Sequence, residues 1–451
     1  MVCGTLRAMR RLVVLAAVLA LPSAALANGR FPETKSVAFR PGHPAEITLG
    51  STVGLLLSHD DGKHFFWICD QAIFGDNNNS FDPDYKVAAD GTLYANTQGG
   101  LRISRDGGCT YELAAVEPSL THQKWVDAED LGPSGELWIA QAENGMTNEV
   151  FKSTDGGHEF TPVGLMSKII WWKSVKIARS DPQRVYVTGY QVTQVADDGG
   201  AISPTVHVKR TSDGGTKWEA MPIGDFTLAS NPMVIVNAVS PKDPNLLFAS
   251  SIGANPPGDK LYRSGDGGMT WTSVLDTKRP VKVVTFLADD SVLVGTIETS
   301  YRSSDGGKTF DALTGAPQIQ CAAQREDGQL FACGANWDPD FSALGVATSA
   351  AGPWTKVFRF VDMTAPLSCP AGTVQKDVCD LQLWQAVKEQ YGIKDPDGPP
   401  APDAPVVTKK PSGCCDSSGS DAESAIVLAL AVGVGAALIA RGKRRKKDCC
   451  K

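Results

Sequence analysis

Short apolar stretches alternate with polar turns along most of the chain. One such succession runs through residues 283–287, a turn at Ala288-Asp289-Asp290, and then residues 291–295 and 300–303. The apolar positions are mainly β-branched or aromatic and polar residues fall between them, which is typical of strands rather than helices. The pattern therefore predicts units of four short strands and excludes an array of helices.

One phrase recurs between the third and fourth predicted strands of each unit. A clear copy reads Ser303-Ser-Asp305-Gly-Gly307-Lys-Thr-Phe310. The Asp accepts backbone N–H groups across a tight turn, the Gly takes positive φ, and the aromatic residue opens the next strand. Six copies carry the aspartate, at Asp60, Asp106, Asp155, Asp213, Asp266 and Asp305, and a degenerate seventh has Ala350 there.

The copies lie between 39 and 58 residues apart. Four strands at such a period are typical of one propeller blade. The sequence thus predicts an all-β fold, a seven-bladed β-propeller of four-stranded antiparallel blades, over residues 34–361.

The phrase resembles the Asp-box (BNR) repeat, S/T-x-D-x-G-x-T-W/F, throughout the predicted propeller. The resemblance implies that the box aspartates are structural and lie at the blade periphery, away from the ligand face. It names no single function, because sialidases, xyloglucanases, sortilin-like receptors and photosystem II assembly factors share the repeat.

Both ends of the chain have the pattern of export and anchoring segments. Residues 1–27 combine a basic head, an apolar run and Ala25-Leu26-Ala27, as a secretory signal peptide does. Residues 394–424 are rich in Pro, Ser and Asp, which predicts a stalk. Residues 425–440 are uncharged and precede the basic residues 441–451, which predicts a single transmembrane helix, a cytoplasmic tail and a propeller outside the membrane.

The C-terminal part of the chain combines Gly413-Cys414-Cys415, the apolar segment and the basic end. Together these resemble the MYXO-CTERM sorting signal. That resemblance implies processing near Cys414 or Cys415 by a sorting protease, followed by display on the cell surface.

The net charge of the chain limits the kinds of partner that it can bind. Without residues 1–27 and 441–451 the chain has 33 basic and 49 acidic residues, a net charge of −16. Such a surface repels phosphate backbones and excludes nucleic acid as a partner. An extracellular or periplasmic protein or glycan fits better.

Six cysteines lie in the exported part before the stalk, an even number that predicts three disulfides. Sequence order suggests Cys69–Cys109, Cys321–Cys333 and Cys369–Cys379, with Cys321 and Cys333 as cross-strand neighbours. The last pair would close a loop in a cap of residues 362–393 that also holds a short helix over 380–391. We expect no metal site and no cofactor.

The ligand face of a propeller, here called the loop face, is built by the loops from second to third strand and from each fourth strand to the next blade. These loops contain, among others, Trp171, and we take as binding candidates Asp76, Asp82, Asp84, Trp125, Trp172, Tyr190, Asn255, Trp337 and Asp338. Exposed aromatic rings beside carboxylates suit sugars or cationic peptides. The alternative for Trp125 and Trp172 is that both only fill the core.

These features favour a non-catalytic, surface-anchored binding or scaffold propeller with a glycan or protein partner. The alternative is a secreted glycoside hydrolase of sialidase-like type. A hydrolase needs two carboxylates across the scissile bond, and the sequence pairs none. The chain also has Phe39-Arg40-Pro41-Gly42 where sialidases carry Arg-Ile-Pro, and seven units where they have six.

Overall fold

The computed structural model describes residues 31–75, 81–120, 123–191, 205–224, 226, 233–337 and 340–394. All of them belong to one compact unit. The predicted signal peptide, the transmembrane helix and Cys414 and Cys415 lie outside these ranges, as does all but the first residue of the stalk. Within the ranges, no helix is long and apolar enough to cross a membrane.

Seven sheets each contain four consecutive antiparallel strands, and each sheet is one blade. Blade 1 consists of β1 (Thr34–Arg40), β2 (His43–Ser51), β3 (Gly54–Ser58) and β4 (Phe66–Ile68). Blade 2 consists of β5 (Tyr85–Val87), β6 (Leu93–Thr97), β7 (Gly100–Ser104) and β8 (Glu112–Leu113). Blade 3 consists of β9 (Val126–Leu131), β10 (Leu137–Gln141), β11 (Val150–Ser153) and β12 (Thr161–Pro162). Blade 4 consists of β13 (Ile170–Ile177), β14 (Val185–Gln191), β15 (Val206–Thr211) and β16 (Glu219–Ala220).

The remaining blades follow the same order. Blade 5 consists of β17 (Met233–Val239), β18 (Leu247–Asn255), β19 (Gly258–Ser264) and β20 (Thr272–Asp276). Blade 6 consists of β21 (Val283–Phe286), β22 (Val292–Gly295), β23 (Tyr301–Ser303) and β24 (Asp311–Ala312). Blade 7 consists of β25 (Cys321–Gln324), β26 (Leu330–Cys333), β27 (Leu344–Ala347) and β28 (Thr355–Phe358). The predicted seven-bladed propeller is confirmed.

First strands lie at the centre of the ring. The first strands of most neighbouring blades contact each other, and β1 contacts β25 across the seam between blades 1 and 7. At that seam the Thr34 hydroxyl donates to the Ala343 carbonyl over 2.6 Å. Buried Arg325 of blade 7 donates to Asp61 and to the Pro44 carbonyl of blade 1. Hydrogen bonds between side chains and backbone therefore help to close the ring.

The six predicted boxes connect third to fourth strands and share one hydrogen-bond pattern. The Ser or Thr hydroxyl donates to the box carboxylate over 2.7–3.0 Å. The same hydroxyl accepts the N–H of the last glycine in the box over 2.8–3.0 Å. The carboxylate also accepts the N–H four residues further on, over 2.9–3.1 Å. In blade 7, where Ala350 replaces the aspartate, the Ser349 hydroxyl donates to the Gly352 carbonyl.

These bonds favour the ionised form of the box carboxylates. Burial alone would raise the pKa of Asp60, but hydrogen bonds from His64 and Ser58 outweigh it and lower that pKa to about 2. The pKa of Asp266 is lowered in the same way, by Thr270 and Ser264 against desolvation.

The last glycine of each box lies against the preceding blade. Its φ is between +79° and +99°, which disfavours any residue with a side chain. A Cβ at Gly157 would meet Ile103 of blade 2, and one at Gly307 would overlap the ring of Phe248 in blade 5. The boxes thus fix the spacing between blades as well as a turn within each blade.

The C-terminal strap, residues 360–394, packs on blade 1. Its strand β29 (Ala365–Pro366) pairs in parallel with β4 as a fifth strand. The predicted helix over 380–391 begins earlier than expected. A π-helix over Gln375–Leu383 leads directly into the α-helix Trp384–Tyr391. The Gln375 side chain donates to the Trp67 carbonyl over 2.8 Å and is fully buried, which explains the earlier start.

All six expected cysteines form disulfides, but two of the three predicted pairings were wrong. Cys321 and Cys333 are bonded cross-strand neighbours with Cα atoms 4.9 Å apart, as expected. The other bonds are Cys69–Cys379 and Cys109–Cys369. The prediction paired cysteines that are consecutive in the sequence. It was wrong because closure of the ring brings the strap beside blades 1 and 2.

The contact between box and preceding blade can be tested at two adjacent glycines. Gly306 and Gly307 both have positive φ, but only a Cβ at Gly307 has a neighbour within 4 Å. We expect Gly306→Ala to lose about 1 kcal/mol of stability from backbone strain alone. Gly307→Ala should lose about 1–3 kcal/mol more, because its methyl group displaces Phe248. Chemical denaturation measures both, and equal stability of the two variants would contradict the contact.

Candidate functional site

The loops of the propeller separate onto two faces. Because consecutive strands are antiparallel, second-to-third connections and those between blades leave from one end of each blade. That end is the loop face. The boxes leave from the opposite end, here called the box face.

Four aromatic side chains form a continuous row on the loop face across blades 2 to 4. The ring centroids of Phe81 and Trp125 are 4.9 Å apart, those of Trp125 and Trp171 are 6.3 Å apart, and those of Trp171 and Tyr190 are 5.9 Å apart. Phe81 and Trp125 precede first strands, whereas Trp171 and Tyr190 lie at the paired ends of β13 and β14. We call these four residues the aromatic row.

An ion pair supports the row from beneath. Lys173 binds Asp127, both side chains are mostly buried, and the Lys173 Nζ lies 4.9 Å from the Trp125 ring centroid. Burial raises the pKa of Asp127, although Lys173 partly offsets it. Burial, with a smaller contribution from Asp127, raises the pKa of Tyr190 to about 12. Its hydroxyl therefore stays protonated at neutral pH and remains a hydrogen-bond donor.

Of the predicted binding residues, Trp125 and Tyr190 belong to the row and others do not. Trp172 is 2% exposed and donates its indole N–H to the Leu165 carbonyl over 2.9 Å, which favours the core role for it. Asn255 donates to the Thr277 carbonyl within its own blade. Trp337 lies against Phe31, with centroids 5.8 Å apart.

The predicted carboxylates contribute less to the site. Asp84 is exposed and lies 3.5 Å from the Lys86 amine, and Asp82 is half-buried. Asp76 and Asp338 lie outside the described residues. Among the described residues, no group of three or more His, Cys, Asp or Glu is placed to hold a metal ion.

Sequence reasoning missed Phe81 because its segment looks like a polar turn. The aromatic residue in a run of Asn, Ser and Asp was the available signal. In the structure, exposed apolar side chains also mark the loop face as a candidate binding surface. Of the large exposed apolar side chains that the described residues contain, four belong to the loop face, at Phe31, Phe81, Met146 and Met166.

A buried carboxylate lies on the inner strand next to this site. Glu129 of β9 is 4% exposed, and neither of its oxygens has a hydrogen-bond partner within the described part of the chain. Burial raises its pKa to about 8, although Lys86 and Lys176 on the neighbouring first strands lower it in part. Glu129 is therefore largely protonated at neutral pH.

Comparisons with known proteins support the fold alone. No protein family matches the sequence, and no curated protein does. Among solved structures, an ancestral GH74 enzyme is 15% identical over 72% of this chain and 46% of its own, with a TM-score of 0.53. The GH74 enzyme of Niastella koreensis is 17% identical over 72% of this chain and 65% of its own, with a TM-score of 0.41.

A third similar structure is not a GH74 enzyme. YCF48 bound to D1 peptide is 16% identical over 64% of this chain and 88% of its own, with a TM-score of 0.41. The chain spans between about half and two thirds of the two GH74 structures. The likeness to the ancestral GH74 enzyme supports the class of protein, a β-propeller, and leaves the activity open.

The buried carboxylate makes a specific pH dependence testable. The folded protein keeps the Glu129 proton up to about pH 8, whereas an unperturbed glutamic acid releases it near 4.5. Stability should therefore fall as pH rises from about 4.5 to about 8, by up to about 5 kcal/mol. Glu129→Gln should match the wild type near pH 4 and be more stable at pH 8 in thermal melts.

Glu159→Gln is the matched control, because Glu159 is exposed on the box face. It should change stability little at either pH. If Glu129→Gln behaved like this control, a buried protonated Glu129 would be refuted.

Proposed function

We propose that this chain is a non-catalytic binding propeller that presents its loop face to a glycan or protein partner outside the cell. The observation that carries the proposal is the aromatic row. Large rings provide contact area at a small cost in side-chain entropy, and they suit both sugar faces and protein side chains.

The state of the nearby carboxylates supports binding over hydrolysis. A glycosidase needs one carboxylic acid and one carboxylate facing the scissile bond. On the loop face, Asp127 is paired with Lys173, and Glu117 with Lys124. Glu143 accepts the backbone N–H of Trp125 over 3.1 Å. These three carboxylates thus hold the walls of the site in place.

The proposed location outside the cell rests on the ends of the chain and on the cysteines. Disulfides persist in oxidising compartments, and three of them are formed here. The signal-like residues 1–27 would direct export. Residues 425–440 would anchor the protein in a membrane, with processing at Cys414 or Cys415 by a sorting protease.

The test is a glycan and peptide array probed with the full chain in a mild detergent. Trp171→Ala removes a central ring of the row and should weaken binding to the selected ligand at least about tenfold. Asp266→Ala is the control, because it breaks a box on the opposite face. It should lose about 1–2 kcal/mol of stability and keep its affinity in the folded fraction.

Three results would contradict the proposal. They are an array without any ligand, Trp171→Ala with wild-type affinity, and loss of binding in Asp266→Ala without a change in melting temperature.

A further inference from the structure

A cleft of about 420 Å³ opens on the loop face next to the aromatic row. It lies between the connection to blade 3, the β10–β11 loop and the connection to blade 4. Its lining consists of Leu120, Lys124, Gly145, Met146, Thr147 and Lys168. Among the described residues of this lining there is no carboxylate and no aromatic ring, in contrast to the neighbouring row.

Internal hydrogen bonds fix the walls of the cleft. The Lys124 side chain is 5% exposed, and its amine donates to Glu117 over 2.8 Å and to the Thr147 carbonyl over 2.5 Å. Gln141 donates to the same Glu117 carboxylate over 2.8 Å. Asn148 and Ser167 exchange two backbone hydrogen bonds, which tie the β10–β11 loop to the connection that bears Lys168. A ligand would meet a largely formed site.

The chemistry of the cleft combines one available positive charge with apolar surface. Lys168 is exposed and has no ion-pair or hydrogen-bond partner in the described part of the chain. Lys124 is neutralised by Glu117, so the net charge of the cleft comes from Lys168. Met146 is 40% exposed on the lining, and Met166, two residues before Lys168, is 73% exposed. This charge stands out in a chain whose exported part is strongly acidic.

We propose that the cleft binds a protein partner through an extended segment in which an acidic residue lies beside an apolar one. The inference rests on the proposed binding function of the loop face and specifies its partner. The carboxylate would pair with Lys168, and the apolar side chain would pack against Met146 and Leu120.

The lining favours a peptide over an acidic glycan. Sugars bind chiefly by stacking on aromatic faces, and the described lining of the cleft offers none. Methionine side chains are flexible and polarisable, so they adapt to apolar side chains of different shapes and are common at protein-binding surfaces. Charge complementarity to a carboxylate supplies the remaining selectivity.

The test uses a fluorescein-labelled peptide of repeated Leu-Glu-Gly and the full chain, followed by fluorescence anisotropy. The charge reversal Lys168→Glu should weaken binding at least tenfold, because repulsion replaces attraction. The matched control is Lys63→Glu, an exposed lysine in a box turn on the opposite face. It should leave affinity unchanged. The same peptide with Gln in place of Glu should bind the wild type at least tenfold more weakly.

Three results would overturn the inference. The first is a Gln peptide that binds as tightly as the Glu peptide, and the second is wild-type affinity of Lys168→Glu for the Glu peptide. The third is an oligogalacturonate that binds in a Lys168-dependent way while the peptide does not bind, which assigns the cleft to glycans. Failure of the proposed function is distinguishable, because then Trp171→Ala would leave the array ligand bound. If Trp171→Ala loses affinity for the array ligand while Lys168→Glu keeps its affinity for the peptide, only the inference about the cleft is overturned.

Discussion

The structure depends on the hydrogen bonds of the box hydroxyl and carboxylate. The hydroxyl and the carboxylate together accept the N–H groups of a tight turn, and the turn places a glycine against the neighbouring blade. A Cβ at these six glycines would come within 2.0–3.3 Å of side chains of the preceding blade, so this close approach between blades favours glycine. Six such contacts hold neighbouring blades close together around the ring. The aromatic row crosses blades 2 to 4, which are among these blades.

The seam between blades 7 and 1 has a box contact, since Gly62 of blade 1 lies against Val357 of blade 7. No strand is exchanged between these blades, since each consists of four consecutive strands. Further bonds across the seam join Thr34 to Ala343, and Arg325 to Asp61 and Pro44. The Arg325 guanidinium also lies 4.9 Å from the Phe331 ring centroid. The seam thus combines polar bonds with the box contact and with the packing of Phe65 on Phe358.

The sequence alone predicts those features of the fold that residues close together in the chain determine. The boxes, their spacing and the four-strand units are visible because each turn is specified by its own residues, such as Asp305 and Gly307. The disulfides Cys69–Cys379 and Cys109–Cys369 join distant residues, so their partners become neighbours only after the ring closes. The same holds for the aromatic row, where Phe81 and Tyr190 belong to different blades. Burial of Glu129 could not be predicted either, because it depends on three adjacent inner strands.

The two disulfides of the strap have a mechanical consequence. A force applied through the chain beyond residue 394 would reach Cys379 first, and from there pass covalently to Cys69 in blade 1. The second bond, Cys109–Cys369, carries part of the load to blade 2. Blade 7, which precedes the strap in the chain, is bypassed. Tension from a tether would therefore be borne by blades 1 and 2, and the non-covalent seam between blades 7 and 1 would not be pulled open.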